Sequence, residues 1–442
     1  MTDLSWVNLL PESWHAKPLR AISSYTVSNV DKASIDNETP VRLCNYKDVY
    51  HNEFIALGLD FLRATATQEE IDKFRLAVDD VLITKDSESW DDIGIPSLVT
   101  ETADDLLCGY HLALLRPSGD ALNGQFLFRC LQARPIRIQL ELAANGVTRF
   151  GLPKSSIGGI VLPVPPPPQQ CAIVDYLDRE TARLDSLVAQ KQHIIRLLAE
   201  KRRALLTRAV IRGLDANVPV RDSGIPWVGK IPAHWKATRL KFVADVRTGL
   251  ALGKRTSRFS PTEYSEYPYL SVANVQDGHL DLSNVKAVHL PKREAESFAL
   301  RSGDVLMNEG GDDDKLGRGC IWRGEIATCL HQNHVFAVRP RGVRSEWLNL
   351  WTSSEQAKSY FRFHAKRATN LASISASNVR ELPLPVPPVH EQNEIVDHVT
   401  TAGAALDKTR AAATHTVQLL DERRVALISA AVTGQIDVGS TP

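Results

Sequence analysis

Lys230, Lys236, Arg239, Lys241, Arg247, Lys254, Arg255 and Arg258 fall in one stretch of the chain that holds a single acid, Asp245. Cations at that density can neutralise a run of phosphates. A second group, Lys358, Arg362, Lys366 and Arg367, is interleaved with Tyr360, Phe361, Phe363 and His364. On a helix, Lys358, Arg362 and Lys366 would share a face at four-residue spacing while Phe361 turns inward, although a merely solvated face fits the same pattern. Polar groups able to meet base edges crowd two turn-rich loops, Lys85-Asp86-Ser87-Glu88-Ser89-Trp90 and Asn308 to Lys315 with Arg318. Arg and Lys pair with guanine, Asn and Gln with adenine, and Ser, Thr and carboxylates reach other edges.

Rival chemistries leave weaker traces. Glu309, Asp312, Asp313 and Asp314 could bind Mg²⁺ in a metal-dependent nuclease, but no second carboxylate motif completes such a site. Gly249-Leu250-Ala251-Leu252-Gly253-Lys254 has three residues between its glycines instead of four, and Arg255 stands where a phosphate loop needs Ser or Thr. There is no G-x-G-x-x-G fingerprint and no acidic-aromatic methyltransferase tetrapeptide.

The elements that must position these loops come in two copies. Trp6-Val7, Pro11 and Trp14 return as Trp227-Val228, Pro232 and Trp235, and His111, Arg116 and Pro117 as His334, Arg339 and Pro340. Leu162-Pro163-Val164-Pro165-Pro166 returns as Leu384-Pro385-Val386-Pro387-Pro388, and a displacement of 222 then holds without a gap from Gln170/Gln392 to Val210/Val432. Each copy opens with strand-like runs, such as Pro40 to Tyr46 and Pro268 to Val272. Each closes, after a proline cluster, with one long predicted helix, about Gln169 to Ile211 and Glu391 to Val432. At 1.5 Å per residue such a helix is a rod of about 65 Å.

Positions seven apart on the rods are Leu177, Leu184, Lys191, Leu198 and Leu205, and Val399, Leu406, Ala413, Leu420 and Leu427. That spacing predicts a coiled-coil seam, antiparallel if a two-fold axis relates the copies. Two helices packed separately on their own domains are the other reading. The first rod's end, Lys191 to Arg212, carries seven cations against Glu200, which suits phosphates, an acidic partner or plain solvation. The Asp-Val-Leu flanks of the two polar loops match between copies while the loops themselves differ. A frame that reads two different half-sites needs that, and loop drift would also produce it.

Composition sets outer bounds. Fifty-two basic residues balance 52 acidic ones, which excludes a uniformly basic nucleic-acid coat, and 43% hydrophobic with 24% charged residues is globular usage. The six cysteines form no C-x-x-C pair, so free, mostly buried thiols are expected and a zinc site is not. No apolar run is long enough for a membrane span and no signal sequence opens the chain, so a soluble cytoplasmic protein with no membrane contact is expected.

Several of these segments together carry a family resemblance. They are Gly224 to Gly229 with Ile231-Pro232-Ala233-His234-Trp235; Leu384 to Pro388 with Glu391-Gln392 and Ile395-Val396; and Glu422 to Gly434. Val41 to Tyr50, Asp80-Val81-Leu82 and Gly303-Asp304-Val305-Leu306 belong to the same set. In order and period they resemble the specificity subunit of Type I restriction-modification enzymes over nearly the whole chain. One departure is Gln169-Gln170 where the second copy has Glu391-Gln392, which predicts a slightly weaker helix start because a carboxylate there favours the dipole.

The resemblance implies an α+β fold: a tandem duplicated unit with two α/β target-recognition domains separated by two long helices in an antiparallel, pseudo-two-fold coiled coil. The expected boundaries are a first recognition domain at 1–160, a first spacer helix and linker at 161–221, a second recognition domain at 222–382, and a second spacer helix with tail at 383–442. The chain itself would be non-catalytic and hold no cofactor or metal. Its expected partners are double-stranded DNA, two modification (methyltransferase) subunits, and restriction (motor-nuclease) subunits. S-adenosylmethionine, ATP and Mg²⁺ would be used by those partners.

Candidate DNA contacts in the first copy are Tyr46, Lys47, Lys85, Ser87 and Ser89. In the second they are Lys254, Arg255, Arg258, Asn274, Asn308, Lys315, Arg318, Arg362, Lys366 and Arg367. Spacer packing is assigned to Leu177, Leu184, Leu198, Leu205, Val399, Leu406, Leu420 and Leu427. The matched histidines His111 and His334 are expected to have a structural role. A scaffold with two lobes that bind protein or carbohydrate is the alternative reading.

Overall fold

The computed structural model describes residues 4–118, 121–251, 264–311, 315–368 and 371–438. The fold is mixed α/β with two long helices, Pro167–Arg212 and Val389–Val432. Each starts two residues before the position expected from sequence. Pro167 and Pro168 fit there because the first-turn N–H groups have no intrahelical acceptor to lose.

The chain divides into two compact units. One comprises the chain up to Gln192 together with the segment from Thr414 onward, and the other is His193–Ala413. In the first unit a five-stranded sheet runs in the order Ser23–Val27, Leu112–Pro117, Val81–Thr84, Pro96–Val99, Phe54–Ile55, antiparallel except for the last pair. A three-stranded sheet, Leu62–Ala66, Thr39–Cys44 and Leu106–Cys108, lies in the same unit. Val81–Thr84 is buried along its whole length, so it reads as continuously apolar rather than alternating. The predicted run from Pro40 stops as strand at Cys44, where Asn45 caps a short helix, Tyr46–His51, through a capping box with Asp48.

The second unit repeats the plan. Its main sheet is Ala244–Thr248, Val335–Pro340, Val305–Asn308, Gly319–Ile321, with a second sheet of Lys286–Pro291, Tyr264–Leu270 and Leu330–His331. Two matched strand pairs close the globular parts, His15–Pro18 with Val161–Val164 and Lys236–Arg239 with Pro383–Val386.

Repeat markers in the sequence acquire physical roles here. Asp80, buried in the first unit, takes a bidentate hydrogen bond from Arg116, and Asp304 in the second unit takes one from Arg339 at 2.7 Å on both oxygens. These pairs tie together the ends of two adjacent inner strands in each main sheet. Gln170 and Gln392, both buried, sit in the first turns of the long helices. Gln170 accepts from the Asn123 N–H and donates to the Ala121 and Pro165 carbonyls, while Gln392 accepts from the Arg344 N–H and donates to Pro387.

One residue earlier, the Trp14 indole donates to Gln169 Oε1 at 2.8 Å, and the Trp235 indole donates to Glu391 Oε2 at 2.9 Å. Glu391 also meets His234 Nε2 at 2.6 Å, whereas Ser13 stands at the corresponding place in the first unit. The change from glutamate to glutamine thus accompanies the loss of the histidine, and the indole keeps its acceptor.

Each unit's core contains the start of one long helix and the end of the other. Ile173, Val174 and Leu177 share a cluster with Ile428, Ala431 and Val432 in the first unit; Ile395, Val396 and Val399 share one with Leu206, Ala209, Val210 and Ile211 in the second. Of the residues assigned to spacer packing, Leu177, Leu184 and Val399 are buried, and Leu198, Leu205, Leu406, Leu420 and Leu427 are half-buried. All six cysteines are free thiols, and Cys171 alone is exposed. Among the described residues no helix is long and apolar enough to cross a membrane.

Candidate nucleic-acid interface

In the first unit the loop after Val81–Thr84 becomes a short strand, Asp86–Ser87, and pairs with a two-stranded ribbon, Asn145–Gly146 and Phe150–Gly151. Gly146, at φ +150°, makes the ribbon's close approach possible, because a Cβ there would lie 2.0 Å from the Arg149 carbonyl oxygen. At the ribbon's base His111 Nδ1 lies 2.6 Å from Asp86 Oδ2. Arg149, exposed on the ribbon, brings Nη2 within 3.3 Å of the His111 ring.

Lys85 joins this group, 3.4 Å from Asp86 and 5.8 Å from the centre of the Tyr110 ring. Tyr46 stacks on Tyr50 at 5.5 Å, and burial pushes its phenol above the usual range while a hydrogen bond with Ser87 opposes the shift. Tyr50 donates to Asp92 at 2.6 Å. The structure therefore brings Tyr46, Lys85 and Ser87 together around one short strand. Lys47 is exposed on the adjacent helix, and Ser89 meets the cluster through its backbone N–H, which donates to Ser87 Oγ at 3.3 Å, while its hydroxyl donates to Asp91.

The second unit has the same frame with other residues on it. Gly310–Gly311 pairs with a ribbon of Leu371–Ser373 and Lys366–Ala368, and His334 Nδ1 lies 2.5 Å from Glu309 Oε2 at its base. A groove there is lined by Val272, Glu309, His334, Lys366, Arg367 and Leu371 among others. Lys366 and Arg367 thus reach the polar loop from a distant part of the chain.

This geometry corrects one expectation and gives the other candidates their places. The helix expected to carry Lys358, Arg362 and Lys366 on one face ends at His364, so Lys366 and Arg367 lie on a strand. Phe361 does turn inward, and Arg362 pairs with Glu355 at 3.2 Å. Asn274 is buried, accepting from Ser271 and donating to the Asp281 and Asn284 carbonyls; its amide holds a turn instead of facing a groove. Asn308 is buried too, donating to Val272 and Val275. Arg318 donates to Gln276 at 2.7 Å, and Lys315 is half-buried in the turn that follows the loop. Lys254, Arg255 and Arg258, like Asp312 to Asp314, lie outside the described residues. Among the described residues no cluster of His, Cys, Asp and Glu could hold a metal ion.

Sequence reasoning missed the ribbon Asn145–Gly151. Its one sequence signal is Asn145-Gly146, a turn-forming pair between two short runs. His111 was legible only as a repeat marker, and its φ of +70°, unusual for a residue with a Cβ, belongs to the turn that aims it at Asp86.

The fold is mixed α/β in two compact units that carry matched loops. Residues 232–413 match the family described as "Type I restriction modification DNA specificity domain". The EcoKI specificity subunit of Escherichia coli (strain K12) is similar, with 22% identity over 414 residues, 90% of this chain and 84% of that one. A solved chain of a type I R-M system, from work on its complex assembly and conformational transition, is 19% identical, with 97% of this chain and 99% of that chain covered and a TM-score of 0.65. The HsdS subunit from Thermoanaerobacter tengcongensis is 16% identical at a TM-score of 0.51, covering 97% and 98%. The match covers one part of the chain, while the similarity to Type I specificity subunits extends over most of its length.

Proposed function

We propose that this chain is the DNA sequence-specificity subunit of a Type I restriction-modification system and carries no catalysis of its own. One unit reads each half of a bipartite duplex site. The observation that carries this reading is the frame of histidine, carboxylate and ribbon, present in both units with different polar groups upon it. Two half-sites about one helical turn apart suit two such readers.

In this reading the long helices pair antiparallel as a spacer that fixes the gap between half-sites. Support comes from within each unit: the end of one helix packs beside the start of the other. Two modification subunits and restriction subunits dock on this scaffold and supply the chemistry, using S-adenosylmethionine, ATP and Mg²⁺. The recognition domains are assigned to 1–160 and 222–382, the spacers to 161–221 and 383–442, and the compartment to the cytoplasm.

The test is methylated-base mapping with the full complex. Lengthening both helices by one turn changes the number of unread bases between half-sites if they act as a ruler; an unchanged gap would refute that role. Binding also has to fall steeply between low and moderate salt, because phosphate contacts dominate affinity. A flat salt response would favour two lobes built for protein or carbohydrate.

A further inference from the structure

The polar loops were the expected base readers, yet strongly exposed groups also stand on the ribbons beside them. Val147, in the turn of Asn145–Gly151, is 93% exposed, and Arg149 is exposed two residues later. On the second ribbon Lys366 and Arg367 are exposed and Leu371 is 63% exposed. Each ribbon thus joins at least one exposed cation to an exposed apolar side chain. A two-stranded ribbon fits the major groove, where arginine can read guanine through a bidentate pair and an apolar group can meet the thymine methyl.

Arg149 is also held in place. Its Nη2 lies 3.3 Å from a His111 ring nitrogen, and His111 in turn is fixed by Asp86 at 2.6 Å. A base-reading guanidinium needs this kind of support, because a side chain free to wander loses the geometry that separates one base pair from another. The histidine and its carboxylate recur in the second unit beneath Lys366 and Arg367. In the first unit they hold the ribbon's cation, and in the second they line one groove with Lys366 and Arg367.

We propose that the ribbon Asn145–Gly151 and its counterpart, Lys366–Ala368 with Leu371–Ser373, are the specificity-determining elements of the two units. Each enters the major groove of one half-site, Arg149 reading a base in the first. This rests on the reading of the chain as a DNA specificity subunit.

The experiment uses the assembled complex with its modification subunits and duplex DNA carrying the motif that the wild-type complex methylates. The variants are Arg149→Gln, Arg149→Lys, Val147→Ser and Lys366→Gln. Arg149→Gln is expected to relax one base position in one half of the motif, with a discrimination loss of about 5- to 150-fold at that position. Arg149→Lys keeps overall affinity without restoring discrimination, since lysine lacks the bidentate fork. Lys366→Gln affects only the other half.

Equal melting temperatures and equal assembly show that folding is intact, and Val147→Ser supplies an independent surface change if Arg149 variants fold poorly. An unchanged motif in both Arg149→Gln and Val147→Ser overturns the proposal, as does an Arg149→Gln loss that is uniform over all sequences, which would make Arg149 a phosphate contact. A wild-type complex that shows no sequence-dependent methylation would instead sink the underlying reading, so the two failures are separable.

Discussion

Arg202 on the first long helix donates to Asp407 on the second at 2.9 Å. One repeat away, the same two positions with their roles exchanged between helices are Arg424 and Asp185, 3.5 Å apart. Each pair lies within its own unit, and the two occupy equivalent positions of the repeated sequence. Arg424 has a second partner, Glu53 of its own unit's globular part, on both oxygens.

Arg202→Ala is expected to cost little. Both side chains of its pair are substantially exposed, and such ion pairs contribute about 0–1 kcal/mol. Urea unfolding of the variant checks this, and exchanging the charges, Arg202→Asp with Asp407→Arg, restores the midpoint if the pair acts alone. A loss of several kcal/mol would mean that Arg202 has a further structural duty.

Asp304→Ala is expected to behave oppositely. Asp304 is buried beneath Arg339, so removing the carboxylate strands a guanidinium whose burial depended on it, at a cost of about 3–5 kcal/mol. The measurement is the thermal unfolding of the second unit. A cost near that of the Arg202 variant would show that water replaces the carboxylate freely.

Exchanging the helix-start residues separates the two copies. Glu391→Gln removes the carboxylate that His234 faces and is expected to cost about 0.5–1.5 kcal/mol, while Gln169→Glu, which has Ser13 in place of that histidine, gains nothing. Adding Ser13→His to Gln169→Glu recreates the second copy's arrangement. Denaturant midpoints of the single and double variants show whether the histidine is the reason for the difference.

Acid sensitivity follows from His331. Burial lowers its pKa below the ordinary histidine value, although Nδ1 bonds the Val335 carbonyl at 2.7 Å. The unfolded chain takes up that proton near pH 6.5 and the folded chain resists it, so the contribution to stability is present above about pH 6.5 and is lost as pH falls below it. Urea midpoints at pH 7.5 and 5.5 measure the slope. His331→Gln is expected to flatten it, and parallel slopes in variant and wild type would assign the effect elsewhere.

Thiol chemistry offers a count. Burial pushes Cys320 and Cys329 up to about 12 and raises Cys44, Cys108 and Cys130 well above the usual thiol range. A maleimide is expected to label one thiol per native chain, at Cys171, and six after denaturation. Mass spectrometry that found a second native label would show an opening of one of the two units.

Most of the frame could be read from the sequence because a repeat leaves marks that do not depend on local propensity. Asp80, Arg116, Gln170 and their partners one period on recur because each makes a specific buried bond. The long helices were legible from an uninterrupted pattern, their ends less so, since proline is permitted in a first turn. The site was harder. Asn274 and Asn308 have the chemistry of base readers, and only the fold reveals that their amides hold backbone carbonyls. Lys366 lies at helical spacing from Arg362, yet the helix stops before it. Arg149 and the ribbon carry no pattern of their own; what makes them a candidate site is contact with His111, far away in sequence.

The sharing of helix ends between cores has a consequence for synthesis on the ribosome. Val210 and its neighbours complete the unit made of His193–Ala413, and all of that unit's residues emerge as one continuous stretch. The other unit waits. Its core keeps an opening at Ile173, Val174 and Leu177 until Ile428, Ala431 and Val432 have been translated. The half of the protein that is made first is therefore the half that closes last, and a released chain truncated after Ala413 would have every core residue of the second unit but not of the first.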